Sequence, residues 1–476
     1  MPTNSNITRD AINELQASIR QIYLNDSRPW VIGYSGGKDS SCVLQLVWYS
    51  LRELPADKLS KEIHVISSDT LVETPAVVNQ LDKTLTEIRQ AGEKEHLPIR
   101  VHKVTPDIKD TFWVNMIGRG LPAPYTNFRW CTDRMKIAPT TSFIKRKVAE
   151  YGEVMILLGS RRSESASRGQ VMSNRRDKGQ YLSWHNDIAN ALVFTPIEDW
   201  KTEEVWEYLM AVPSPWGGRN DGIVTMYRNA QAGECPLVID KSTPSCGGGR
   251  FGCWTCTVVE RDRSMEAMIE NGEDWMQPML DLRDWLTATQ IPETKAKFRD
   301  HRRRNGRIEF FDAKGEVKII WGPYRLEFRQ EILRRVLRTQ KAVRERGPDP
   351  KVDLIKPEEL HKIRQLWLHE EGDWEDNLPR IYQDECGETL DWLINDHAGV
   401  GGMEKKILDE VATETGLPAR LMRELLDIEM THVGMTRRSG IYDKIDEVMR
   451  KDWRSLDEAL AHAKARTAQA AMEDEA

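Results

Sequence analysis

No apolar run in the chain approaches the roughly 20 residues that a membrane-spanning helix requires. Met1 to Ile7 are polar and lack the apolar core of a secretory signal. Both absences lead to the expectation of a cytoplasmic protein with no membrane partner. Internal repeats and long low-complexity segments are lacking too, which excludes a repeat architecture. Net charge is small, −7 over 476 residues. Global attraction to nucleic acid is therefore excluded, and any such contact needs local basic clusters. Cysteine is sparse, with seven in all. In a reducing compartment so few thiols suit metal or redox chemistry better than a disulfide framework.

What is present is a soluble, globular composition, 39% hydrophobic and 30% charged, long enough for two or three domains. The chain is organised around Ser35-Gly36-Gly37-Lys38-Asp39-Ser40. Before it, Trp30 to Tyr34 reads as a buried strand. After it, Val43, Leu44, Leu46 and Val47 recur at helical spacing. A Gly-Gly loop joining a strand to a helix points free backbone N–H groups at whatever sits on the helix N-terminus, and that end favours an anion. Ser35 and Ser40 add hydroxyl donors, and Lys38 adds a point charge. An amphipathic helix is expected over Asp10 to Leu24. Further strands are expected at Ile63 to Thr70, Ile99 to Val104 and Val154 to Gly159, with a helix from about Ala76 to Gly92 between the first two. Strands alternating with helices predict an α/β, doubly wound parallel sheet. Ligands bind at the carboxyl ends of such strands, where Ser35, Asp69 and Arg161 fall.

The loop resembles the Ser-Gly-Gly-x-Asp-Ser signature of the N-type ATP pyrophosphatases. Asp69-Thr70 with Glu73-Thr74-Pro75, Gly159 to Ser165 with Arg168, and Pro196 to Trp200 followed by Val205 to Leu209 resemble three segments of the phosphoadenylyl-sulfate reductases, in the same order. The resemblance implies an adenine-nucleotide α-hydrolase-like fold. It implies that ATP phosphates lie on Ser35, Gly36, Gly37, Lys38, Asp39 and Ser40, that Asp69 lies near the nucleotide, and that Arg161 and Arg168 steady phosphate or substrate. Trp200 and Trp206 are expected to pack in the core.

Cys42, among Val43 and Leu44, reads as a small buried hydrophobe. Cys235, Cys246, Cys253 and Cys256 fall within 22 residues and are flanked by glycines, a pattern that lets a loop fold around one metal centre. On the residues alone, zinc and an iron–sulfur cluster both fit. The reductases that bind a [4Fe–4S] cluster carry a Cys-x-x-Cys at the position of Cys253 and Cys256. That resemblance implies such a cluster, with Cys131, Cys246, Cys253 and Cys256 as ligands and zinc as the alternative. Cys235 then remains as a catalytic sulfur carrier, although Cys235 and Cys246 are interchangeable in these roles. The run from Gly233 to Met265 is similar to the sulfurtransferase components of bacterial DNA phosphorothioation (Dnd) systems. No reductase-type catalytic cysteine tail follows Cys386, which counts against simple sulfate reduction.

Arg307 to Phe311 and Val317 to Trp321 read as a hairpin, and Tyr324 to Arg346 as a basic amphipathic helix. His301 to Arg304 add to its charge. These residues suit DNA phosphates or a solvated, salt-bridged surface equally, since Glu327, Glu331 and Glu345 are interleaved. Arg175, Arg176 and Lys178 form a second basic patch. The expected organisation is a nucleotide domain at 1–215, a Cys-rich segment at 216–290, the hairpin and basic helix at 291–347, and a helical part at 348–476. The expected activity is ATP-dependent sulfur transfer to DNA. Lys38 and Asp39 act in catalysis, Mg²⁺ accompanies ATP, and a cysteine desulfurase and further complex subunits are partners. The alternatives are a reductase of adenylyl or phosphoadenylyl sulfate, a tRNA thiolation enzyme, and a cluster-bearing scaffold.

Overall fold

The computed structural model describes residues 7–164, 182–230, 252–313, 316–391, 402–432 and 440–474. The chain divides into two compact units, residues 1–112 with 124–283, and residues 113–123 with 284–476. Of the Cys-rich segment expected at 216–290, the described residues 216–230 and 252–283 fall in the first unit and 284–290 in the second.

The first unit is built on a six-stranded sheet of order β3-β2-β1-β4-β6-β5. Its strands are β1 (Trp30–Gly33), β2 (Ile63–Ser68), β3 (Ile99–Val104), β4 (Val154–Leu157), β5 (Leu182–Trp184) and β6 (Ala191–Phe194). All neighbouring pairs are parallel except β5 with β6. The α/β doubly wound sheet expected from the alternating pattern is present. β5 and β6 extend it beyond the four expected strands.

The strands alternate their side chains between two cores. Trp30 and Ile32, Ile63 and Val65, and Met155 and Leu157 face one side. There they meet α1 (Arg9–Leu24), α2 (Lys38–Arg52), α3 (Pro75–Lys94) and the helix Thr202–Ala211. Val31, Ile66, Ile156 and Val193 face the other side, against Phe143 and Ile144 of α4 (Ala138–Tyr151). Near-continuous apolar strands are what a sheet covered on both faces requires. Cys42 is buried in the first core, and Trp200 and Trp206 pack against it, as their sequence positions predict. Because β2 and β3 leave β1 on one side and β4 lies on the other, the chain reverses its strand order between β1 and β4. Ligands of doubly wound sheets bind at such a reversal of strand order.

In the second unit, β7 (Phe310–Ala313) and β8 (Glu316–Ile319) form the expected hairpin. The basic helix runs over Leu326–Arg346 and buries Ile332, Leu333, Val336, Leu337 and Val343. Its cations are largely engaged at home. Arg329 meets Glu371 at 2.9 Å, Arg335 meets Glu331 at 2.7 Å, Arg338 meets Glu385 at 2.6 Å, and Arg344 meets Asp353 at 2.5 Å. Of the two readings of this helix, these four positions follow the salt-bridged one. Residues 113–123 are threaded into this unit. Trp113 Nε1 donates to the Leu354 carbonyl at 2.7 Å, Trp367 Nε1 to the Ile117 carbonyl at 2.8 Å, and the Ala123 N–H to Tyr324 Oη at 3.0 Å.

Candidate nucleotide and thiolate sites

The loop between β1 and α2 turns on Gly36, whose φ of +75° is costly for any residue with a Cβ. Gly37 is the N-cap of α2. The two serines hold the loop to itself. Ser40 Oγ accepts the Ser35 N–H at 3.2 Å and donates to the Gly37 carbonyl at 3.0 Å. Ser35 Oγ accepts the Gly37 N–H at 3.3 Å. The Lys38 N–H donates to Tyr227 Oη at 3.3 Å. Tyr227, on the helix Asp221–Ala230, thus caps the amide end of α2 with a neutral oxygen.

Below the loop lies a buried charge triad. Asp39 accepts from Arg161 Nε at 2.7 Å through Oδ1 and lies 2.9 Å from Lys38 Nζ through Oδ2. Arg161 Nη1 also donates to Ser163 Oγ at 3.0 Å and Thr202 Oγ1 at 3.1 Å. Two cations against one carboxylate leave an excess positive charge in a dry setting, which favours an anion at the loop. Arg161 reaches Asp39 because Gly159 follows β4. A Cβ at Gly159 would sit 2.8 Å from the Asp39 carbonyl carbon.

Along the same edge, after β2, Asp69 pairs with Lys103 at 2.9 Å and accepts the Leu71 N–H at 2.8 Å. Burial works against the ionised form, but Lys103 and these hydrogen bonds prevail and hold Asp69 below the usual carboxylate range. Its neighbour Glu73 goes the other way. Burial, with the Asp69 charge adding to it, pushes Glu73 up to about 7, against the pull of Lys136. The Asp69 charge thus opposes ionisation of Glu73, and the two carboxylates titrate as a pair.

The Cys-Trp-Thr-Cys turn docks on this segment. Cys253 forms an antiparallel bridge with Glu73, its Sγ lies 3.3 Å from Thr70 Oγ1, and the Trp254 N–H donates to the Val72 carbonyl at 2.9 Å. The Cys256 N–H closes the turn on the Cys253 carbonyl at 3.0 Å. Arg283 anchors the turn from behind through the carbonyls of Cys256, Val259 and Glu260. Cys131 leads into a wide helical turn over Thr132–Ile137. Burial, then the charges of Cys253 and Cys256, push the Cys131 thiol up to about 12. Burial pushes Cys253 up to about 11, opposed first by Lys136. Cys131, Cys253 and Cys256 therefore lie within electrostatic reach of one another. A soft metal centre would relieve the mutual repulsion that their thiolates suffer, so these donors fit one chemically. Among the described residues, no group of three or more His, Cys, Asp or Glu is arranged closely enough to hold a metal ion. Arg168, Cys235 and Cys246, and the patch at Arg175, Arg176 and Lys178, lie outside the described residues.

Sequence reasoning missed Tyr227, for which no motif signals a role, and the partners Lys103, which the register of β3 on β2 brings to this edge, and Lys136, which comes from the helical turn after Cys131. No helix among the described residues is long and apolar enough to cross a membrane.

Residues 29–216 match the family model described as the phosphoadenosine phosphosulfate reductase domain. That stretch of the chain is therefore similar to a phosphoadenosine phosphosulfate reductase domain. Residues 403–449 match a second model, described as a small protein found in certain Dnd DNA modification systems. No curated protein sequence matches the chain. Solved structures with some likeness include the phosphoadenylyl-sulfate reductase of Candida auris in a phosphate complex, at 14% identity over 47% of this chain and 95% of that one, with a TM-score of 0.26. The FMN adenylyltransferase of Candida glabrata, in complex with FAD and inorganic pyrophosphate, is 12% identical over 44% of this chain and 61% of its own, with a TM-score of 0.26. The U34-tRNA thiolase NcsA of Methanococcus maripaludis, with its [4Fe–4S] cluster, is 12% identical over 62% of this chain and 82% of its own, with a TM-score of 0.29. At such scores these likenesses carry no argument about activity.

Proposed function

We propose that this chain is an ATP-dependent sulfurtransferase that replaces a non-bridging oxygen of the DNA backbone with sulfur. One observation carries the reading. The Ser35–Ser40 loop follows β1, and the Cys253–Cys256 turn docks on Thr70 and Glu73, in the segment after the neighbouring strand β2, at the carboxyl edge of the same sheet. A nucleotide held on the loop and a sulfur donor beside the cysteines would then act on a common substrate. The phosphoadenosine phosphosulfate reductase domain match and the Dnd-associated match at 403–449 support the same assignment.

In this reading a non-bridging phosphate oxygen attacks the α-phosphorus of ATP, and pyrophosphate leaves toward the loop amides and Lys38. Asp39 holds Lys38 and Arg161 in place, and Arg168 and Asp69 complete the nucleotide's surroundings. Mg²⁺ carried with ATP offsets further phosphate charge. The terminal sulfur of a persulfide on Cys235 then attacks the DNA phosphorus, and AMP leaves with the P–O bond. A second thiol cleaves the persulfide S–S bond and is oxidised to a disulfide with Cys235. An external dithiol reduces that disulfide, being itself oxidised to a disulfide. A cysteine desulfurase partner then reloads the freed Cys235 thiol, and other subunits of the modification complex present the DNA. Cys131, Cys246, Cys253 and Cys256 would hold a [4Fe–4S] cluster, which when bound supplies a soft centre for sulfide chemistry.

The test uses anaerobically purified protein with ATP, Mg²⁺, DNA, cysteine and the desulfurase. AMP and pyrophosphate should appear together, nuclease digests should contain phosphorothioate dinucleotides by mass spectrometry, and Lys38→Ala should abolish both. ATP left intact with DNA and partners present would remove the reading. Four irons and four acid-labile sulfides per chain would support the cluster, and one zinc with no sulfide would replace it. The matched domain itself favours a second reading, reduction of an activated sulfate. That enzyme would release sulfite with a thiol donor and leave ATP uncleaved.

A further inference from the structure

The basic run at Arg302, Arg303 and Arg304 lines a cavity of about 530 Å³ within the second unit. Nine Arg and Lys side chains face it against six Asp and Glu. Most of those carboxylates are already engaged. Asp300 and Glu424 hold Arg420 at 2.8 and 3.1 Å, and Glu424 also holds Lys451 at 2.6 Å. Glu371 holds Arg329 at 2.9 Å, and Glu370 holds Arg304 at 3.2 Å.

Arg302 is different. Its Nε and Nη1 are buried and have no hydrogen-bond acceptor among the described residues. Its guanidinium lies over the Trp453 ring, 5.0 Å from the centroid, so the fork is held in one orientation. A buried donor without an acceptor is costly, and here the donors belong to a cation. Burial, with repulsion from Arg420, pulls both Arg302 and Arg423 below the usual guanidinium value. The cavity thus holds more positive charge than its own carboxylates neutralise. Its volume suits a small ligand or a short stretch of a larger one, and planar guanidinium forks match phosphate oxygens. Arg420, Arg423 and Lys444 lie within the segment 403–449 that matches the Dnd-associated model.

We infer that this cavity binds a phosphate group, free or esterified, with Arg302 and Arg423 as its principal donors. The inference stands on residues separate from the Ser35–Ser40 loop, so either can fail without the other.

The experiment uses the full chain carrying Lys38→Ala, which disables the first unit's loop. Thermal midpoints and affinities are measured with inorganic phosphate, AMP and a short single-stranded oligonucleotide. At least one should raise the midpoint. Arg302→Gln and Arg423→Gln should each weaken that anion at least tenfold. Arg302→Gln should also raise the midpoint in anion-free buffer, because it removes a cation whose buried Nε and Nη1 lack acceptors among the described residues. Arg338→Gln, whose partner Glu385 is not among the cavity's walls, should leave the affinity unchanged. If Arg302→Gln or Arg423→Gln does not fold, the exposed Lys444→Gln replaces it, with a roughly threefold loss expected. An oligonucleotide that competes with phosphate and binds more tightly identifies a nucleic-acid backbone as the source. Phosphate or AMP binding without the oligonucleotide identifies a free one. No stabilisation by any of the three, or equal stabilisation of parent and Arg302→Gln, overturns the inference.

Discussion

Arg161 Nε and Asp39 Oδ1 meet at 2.7 Å with no solvent-accessible surface on either side chain. Asp39→Asn keeps the shape and removes the charge, leaving Arg161 and Lys38 as buried cations without a carboxylate between them. Breaking a buried pair from one side costs about 3–5 kcal/mol. The urea midpoint should fall accordingly. Adding Arg161→Met to Asp39→Asn should restore part of the loss, because the orphaned cation is then gone. A single mutant with the parent's midpoint would show that the pair is not felt by the fold.

Tyr227 holds the Lys38 N–H, a donor that an anion on the loop would need. Tyr227→Phe removes the competing oxygen and keeps the ring against Trp206, whose centroid is 5.0 Å away. Since one net hydrogen bond is worth about 1 kcal/mol, ATP should bind several-fold more tightly. Weaker binding would mean that the hydroxyl itself contacts the nucleotide.

Gly159→Ala places a methyl group 2.8 Å from the Asp39 carbonyl carbon. The obstacle is backbone, so the end of β4 and the start of α2 must separate. Overpacking of this kind costs roughly 1–3 kcal/mol, read as a lower urea midpoint. Nucleotide affinity should fall as well, because Arg161 moves with β4.

His64 is buried on β2, with its Nδ1 3.1 Å from His102 Nε2. Burial first, then the charges of Lys147 and His102, hold it down to about 4 from an ordinary value of 6.5. The folded state therefore refuses a proton that the unfolded chain accepts between those two values. Stability is fully present above about pH 6.5 and is lost as pH falls toward 4, by about 3 kcal/mol for a shift of this size. His102 is lowered too, chiefly by burial, and acts in the same direction. Urea midpoints at pH 7 and pH 5 should differ, and His64→Phe should shrink the difference.

The nucleotide loop was legible because its strand, its glycines and its helix are contiguous in sequence, and local chemistry sets each of them. β1 to β4 were legible from their apolar runs. β5 and β6 were not, because a three-residue edge strand and its four-residue partner carry too short a pattern to stand out. The four-residue hairpin strands were found because the sequence Asp312-Ala313-Lys314-Gly315 reads as a turn between two strand-like runs, although Asp312 and Ala313 prove to belong to β7. Asp39 was legible as a site residue but not as the anion between two cations, since Arg161 lies 122 positions away. The cysteine spacing pointed to a metal centre. It could not reveal that Cys253 would lie against Thr70 and Glu73, a pairing that depends on how a late segment packs onto the loop after β2.

The threading of residues 113–123 into the second unit bears on the order in which the protein is made. This short segment leaves the ribosome early, and the helices that enclose it emerge only after residue 284. For the synthesis of roughly 160 residues, Trp113 and Ile117 must wait as an exposed apolar stretch. A nascent chain stalled within that interval would be a natural client for chaperones.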